Sequence, residues 1–164
     1  MAITTVLRLD MKALRQMMAE VLSLPSDRVI DGNEEVDVSK MSHFITVLPI
    51  IQDDLGTEII FDGKAEVEKI NNLSEMTVSV NAYGRGANEI LNKLVMSMRS
   101  DFVYRSLRGI GVGYLKASQI RNLPTAISGG KEQRSQVDLI FSINNRLIAE
   151  VKRGDNVEIS IEGN

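Results

Sequence analysis

Val78-Ser-Val-Asn-Ala-Tyr-Gly-Arg-Gly-Ala-Asn-Glu-Ile-Leu-Asn-Lys-Leu-Val-Met-Ser-Met-Arg-Ser100 changes period in its middle, and that change decides the fold. As far as Ala82, the apolar residues Met76, Val78, Val80 and Ala82 alternate with Thr77, Ser79 and Asn81. A period of two marks a strand with one face in the core and the other towards water. From Ala87 the apolar positions become Ala87, Ile90, Leu91, Leu94, Val95 and Met98. Spacings of three and four draw one broad stripe along a helix of about three turns. Gly84 and Gly86 permit the sharp turn between the two halves. Asn88 and Glu89 stand where the free N–H groups and the dipole of a helix start favour them. The unit predicts a central helix with sheet packed upon it.

Working outward, the residues before this unit predict a helix and a meander. Over residues 5–24, Leu7, Met11, Leu14, Met18 and Val21 recur at helical spacing, with Arg8, Lys12, Arg15 and Glu20 elsewhere on the wheel. Pro25 stops this first helix, and residues 24–30 read as a turn entering a short extended piece. Met11, Met17 and Met18 read as flexible core filler rather than a binding stripe. Residues 31–40 are polar and acidic, an exposed loop. Residues 44–51 are β-branched but carry Pro49, which lacks a ladder donor, so an edge or bulged strand is expected. A turn at 53–56, extended pieces at 57–61 and 65–70, and a tight hairpin at Asp62-Gly63 complete the meander.

After the central helix, Phe102, Val103 and Leu107 predict a short helical segment ending at Gly109. A strand at 114–123, a loop at 124–131 and an alternating strand through Val137, Leu139, Phe141 and Ile143 follow. Asn144-Asn145 is read as a turn, 147–152 as the antiparallel partner, 154–156 as another turn and 157–161 as a closing strand. The order predicts an α+β fold: largely antiparallel sheet meanders packed with two main helices, in one domain over 1–164.

Composition narrows the function classes. At 164 residues, 43% hydrophobic and 25% charged, the chain has the make-up of a folded globular protein. The net charge of -3 speaks against a generally basic nucleic-acid binder. Cysteine is absent, so neither a disulfide nor a thiolate metal site exists. No apolar run approaches the ~20 residues that span a bilayer, and no signal peptide is read at the start. The expectation is a chain neither anchored in a membrane nor exported by a leader.

Several residues invite a chemical reading. Asp138 followed by Glu150-Val-Lys152 resembles the metal-dependent nucleases of the restriction-endonuclease type, whose two carboxylates hold Mg²⁺ while the lysine orients the attacking water. On the expected hairpin Glu150 and Lys152 share a face, yet no proline precedes Asp138, and solvated hairpin charges are the simpler reading. Gly84-Arg85-Gly86 lacks the Lys-Ser/Thr of a phosphate loop, and the glycines from Gly109 to Gly113 lead from helix to strand, the reverse of a dinucleotide site. His43 stands alone. Arg121, Lys131, Arg134, Arg146, Lys152 and Arg153 make the C-terminal half locally basic, but aromatic residues for base stacking are only 4% of the chain. A solvated or subunit-facing surface is expected there.

Residues 78–91 together with Arg121-Asn-Leu-Pro124 and Glu132-Gln-Arg-Ser-Gln-Val-Asp-Leu-Ile-Phe141 resemble the tailed-bacteriophage neck and tail terminator (tail completion) proteins. Leu24-Pro-Ser-Asp-Arg-Val-Ile30 and Phe44-Ile-Thr-Val47 fit the same pattern. The resemblance covers most of the chain. It implies a virion assembly protein forming a ring, typically a hexamer, at the head-proximal end of the tail. Its partners would be further copies of itself and the tail tube, sheath or neck and connector proteins. It implies no catalytic residue, no cofactor, no metal, no membrane and no sequence-specific nucleic acid. The runner-up reading is the nuclease built on Asp138, Glu150 and Lys152.

Overall fold

In the computed structural model, residues 3–7, 9–127, 130–152, 154 and 160 are described. In chain order they form β1 (Ile3–Leu7), α1 (Met11–Leu22), a 3-10 turn (Ser26–Arg28), β2 (Val29–Asp31), β3 (His43–Asp62) and β4 (Val67–Gly84). There follow α2 (Ala87–Ser97), α3 (Asp101–Ile110), β5 (Val112–Ala117), β6 (Arg121–Asn122), β7 (Thr125–Ile127), β8 (Gly130–Glu132) and β9 (Arg134–Glu150).

The sheet is built around β9. Along one side it pairs with β4 from Tyr83↔Arg134 to Val67↔Glu150. Along the other side β6, β5 and β1 lie in succession, each antiparallel to it. Beyond β4 comes β3, and beyond β3 the short parallel strand β2, which covers only Ile45 to Val47. β7 and β8 form a separate two-stranded hairpin. The fold is thus α+β with a mostly antiparallel sheet.

Side chains cap the starts of α1 and α3, whereas α2 starts at Gly86 without one. The Asp10 carboxylate accepts the Ala13 N–H at 3.0 Å and starts α1; Ser23, in the left-handed region, ends it. Ser100 Oγ accepts the Val103 N–H at the start of α3, and Gly111, with φ of 75°, closes it. Their apolar stripes, Leu14 and Met18 from α1, Leu91 and Leu94 from α2, Val103 and Leu107 from α3, are buried in one cluster. The sheet side of that cluster is Val78, Val80 and Ala82 of β4, Val137, Leu139 and Phe141 of β9, and Ile45 and Val47 of β3. The period change at Tyr83-Gly84 is therefore the hinge of the core, as the sequence predicts.

Several expectations need correction. Residues 3–7 are a strand rather than the first turn of α1: they pair with the end of β9, and the helix begins only where Asp10 caps it. No turn occurs at 53–56, because β3 runs straight through with an irregularity beside Leu55. None occurs at Asn144-Asn145 either, which pair with Leu73 and Asn72 inside the ladder; 147–152 is thus no partner of 137–143 but its continuation as far as Glu150. The hairpin at Asp62 exists with a longer loop, 63–66, whose Lys64 and Ala65 N–H groups bond Asp62 Oδ1. α3 passes through Gly109 to Ile110. The strand expected at 114–123 starts at Val112 and breaks after Ala117, and the loop expected at 124–131 contains β7 and part of β8. The expected turn at 154–156 and strand at 157–161 lie outside the described residues, save Gly154 and Ser160.

Candidate functional site

The continuity of β9 separates the residues that most resembled a metal site. Asp138 lies opposite Ser79 and Glu150 opposite Val67, near the two ends of β4. At ~3.3 Å per strand residue they stand about 40 Å apart. Lys152 lies past the end of β9. Asp138 is instead tied into a polar network on the open face of the sheet. Its Oδ1 accepts from Gln136 Nε2 at 2.9 Å, and its Oδ2 lies 3.5 Å from an Arg121 guanidinium nitrogen. Gln136 Nε2 also reaches Ser79 Oγ at 2.9 Å, and Arg134 donates to Asn81 Oδ1 at 3.0 Å. The Arg134 guanidinium sits 5.5 Å above the Tyr83 ring, which stacks on Phe44 at 4.8 Å. Among the described residues no three His, Asp or Glu converge in a way that would hold a metal ion.

The other candidates resolve into structure. His43 Nδ1 lies 3.1 Å from Ser42 Oγ at the start of β3. The Gly86 N–H, at the start of α2, already donates to Gln133 Oε1. Gly111 caps α3, and Gly113 lets β5 approach Ser142 of β9 more closely than a side chain would allow. Met17 and Met18 are buried and Met11 packs against the core. Of the basic residues, Arg134 and Arg146 stand about 40 Å apart on β9 by the same strand rise. Arg121, on β6 opposite Gln136, engages Asp138, and Arg153 lies outside the described residues.

Two surfaces remain that folding leaves unfinished. Beyond Pro49 the sheet runs out past the helices, β4 backed there by β9 and β1, and residues 50–75 of β3 and β4 form its outer border, here called the arm. Pairing fixes its faces: Ile59 and Phe61 share one with Ile70, while Ile51, Ile60 and Leu73 share the other. Ile59 is 63% exposed, Leu55 55% and Phe61 52%. On the helix-side face a polar ladder separates arm from core, with Asn72 Nδ2 donating to Asp54 Oδ1 at 2.7 Å and to Thr57 Oγ1 at 3.1 Å. The run Ile59-Ile-Phe61 carried the signal for this, since three consecutive apolar residues put hydrophobic groups on both faces of a strand. A meander strand needs only one such face.

The second surface lies across the sheet. An open cleft of about 890 Å³ is lined by Arg99, Asp101, Tyr104, Leu107, Arg108 and Tyr114 among others, between α3 and the start of β5. The Arg99 guanidinium lies 5.6 Å over the Tyr114 ring. Burial pushes the Tyr114 phenol above its usual value, and Arg99 draws it partly back. Tyr104, 61% exposed, leaves aromatic surface at its rim.

No curated protein matches the chain. A family model described as phage neck terminator protein matches residues 11–164, nearly the whole chain. The strand, turn and helix at 78–100, which carried the resemblance, lie at the centre of the matched span and of the core. On this match the chain belongs to the phage neck terminator family, acting in tail termination at the virion neck.

Proposed function

We propose that copies of this chain, each a single α+β domain, close into a ring, hexameric as the family resemblance implies, at the head-proximal end of the tail. The ring caps the tail tube and contacts the sheath or the connector, carries out no catalytic step, and assembles in the cytoplasm of the bacterial host before it resides in the virion. The observation that carries this reading is the arm: an outer border of the sheet with exposed apolar residues on both faces, outside the reach of its own helices. Side chains of that kind are normally covered, and a part whose two ends differ pairs head to tail about a cyclic axis.

Light scattering over a range of concentrations, with and without purified tail tubes, tests it. A multimer, formed alone or on the tube ends, is expected. A strict monomer that also leaves tube ends unbound overturns the reading.

A further inference from the structure

The arm and the cleft carry opposite charge and belong to elements separated by β9 in the sheet. Between Ile50 and Glu75 the arm holds seven carboxylates against two lysines, Lys64 and Lys69. Of the charged residues that line the cleft, Arg99 and Arg108 are cations and Asp101 is a carboxylate. Asp101 is engaged by Arg105 at 2.9 Å, and Arg108 has no ion-pair partner among the described residues. In strand order the arm belongs to β3 and β4, whereas the cleft belongs to α3 and β5, on the far side of β9. Val112 at the cleft pairs with Ile143, Ile143 with Ser74 and Ser74 with Asp54, so β9 and β4 lie between the cleft and the root of the arm. The ladder holds Phe61, opposite Glu68, about 20 Å further along the strands, and only another molecule can bring it to the cleft.

The backbone narrows the mode of contact. Past Val47 the outer side of β3 has no strand partner among the described residues, an edge that invites strand addition. Along it Pro49 lacks a donor, the register shifts beside Ile50 and again beside Leu55, and Asp53, Asp54 and Glu58 line the edge strand. Each of these devices blunts edge pairing. A seat for side chains is favoured over an added strand, and the cleft offers one, with aromatic and aliphatic walls for Leu55, Ile59 and Phe61 and guanidinium groups for the flanking carboxylates.

We propose that the arm of one copy seats in the α3–β5 cleft of the next, a heterologous contact that propagates around the ring. The inference rests on the ring reading above and assigns the two surfaces that make it. Charge steers the encounter and fixes which partner fits; the apolar residues at the centre of the contact supply most of the hold.

The chain contains no cysteine, so introduced ones stand alone. Leu55→Cys and Tyr104→Cys are made as separate proteins, each checked for native circular dichroism, and treated with a flexible bismaleimide under the conditions in which the wild type assembles. A covalent dimer is expected in the mixture and in neither protein alone. Arg99→Glu with Arg108→Glu should weaken assembly at least tenfold, as should Asp54→Lys with Glu58→Lys, and mixing these two charge-reversed proteins should restore it. Wild-type assembly with no cross-link in the mixture, or cross-linking within either single variant, overturns the arm-and-cleft contact while the ring stands. Assembly indifferent to both charge reversals does the same. A wild type that remains monomeric with and without tube ends removes the ring, and this contact with it.

Discussion

At Gly84 the backbone has φ of 98°, and a β-carbon there would collide with the Ser42 carbonyl oxygen. Gly84→Ala therefore combines left-handed strain with a backbone clash that no rotamer relieves, and should cost about 3 kcal/mol, lowering the thermal midpoint by about 10 °C. Differential scanning calorimetry reads this directly. The sequence marks Gly84 as a turn residue, but Ser42 stands just before β3, far away in the chain, so the reason for its severity is a contact that no local reading contains. Asp62 is the opposite case, a local device at the arm tip. The Ala65 N–H, the Lys69 ammonium at 3.3 Å and the Lys64 N–H hold its carboxyl below the ordinary value of 3.8. Because the folded value is the lower one, the loop's hold is complete above the unfolded value and is lost as pH falls through the depressed one. The Lys64 and Ala65 amide resonances should stay fixed down to the ordinary carboxylate value and move only below it. At neutral pH, Asp62→Ala should speed the hydrogen exchange of those two amides and leave the core unchanged.

Among the elements, α2 behaves as its period predicts. Leu94 is fully buried between helix and sheet, so Leu94→Ala should cost about 3 kcal/mol in a denaturation titration, whereas Met96→Ala, at an 81% exposed position on the same helix, should stay within about 0.5 kcal/mol. Buried stripes of this kind were legible because one helix face or one strand face sets their spacing. Strand ends were less so. Asp54, Gly56, Asn144 and Asn145 are turn formers in isolation. Here Asp54 keeps its local bond from the Gly56 N–H, but Asn72 bonds it across the ladder as well, and both asparagines of β9 pair with β4, so cross-strand pairing outweighs the local tendency to turn. The same competition hid β1. Leu7 fits a helical spacing with Met11 and Leu14, yet it lies opposite Arg146, on a length of β9 that the sequence seemed to fold back. Reading two short hairpin strands where one long strand exists is also what lent Asp138 and Glu150 their likeness to a metal site.

For the whole molecule, purified protein with Mg²⁺ or Mn²⁺ should leave single- and double-stranded DNA intact. Cleavage abolished by Glu150→Ala and by Lys152→Ala would contradict the separation of Asp138 from Glu150. The assembly surfaces were only partly legible. Mixed-sign charge pointed to subunit contacts, but the arm emerges only once three helices are counted against strands of 17 to 20 residues. The unbroken pairing of β4 with β9 has a mechanical consequence. Ladder bonds lie perpendicular to the strands, so tension applied along them loads the whole ladder in shear at once, while tension across an end peels it bond by bond. Anchored at Glu66 and Gln133, the protein should rupture at a higher force in single-molecule pulling than when anchored at Arg85 and Gln133; equal forces would refute this. A part seated between head and tail is then stiff in one direction and yielding in the other, and the bearing of its strands relative to the tail axis determines which strain it resists.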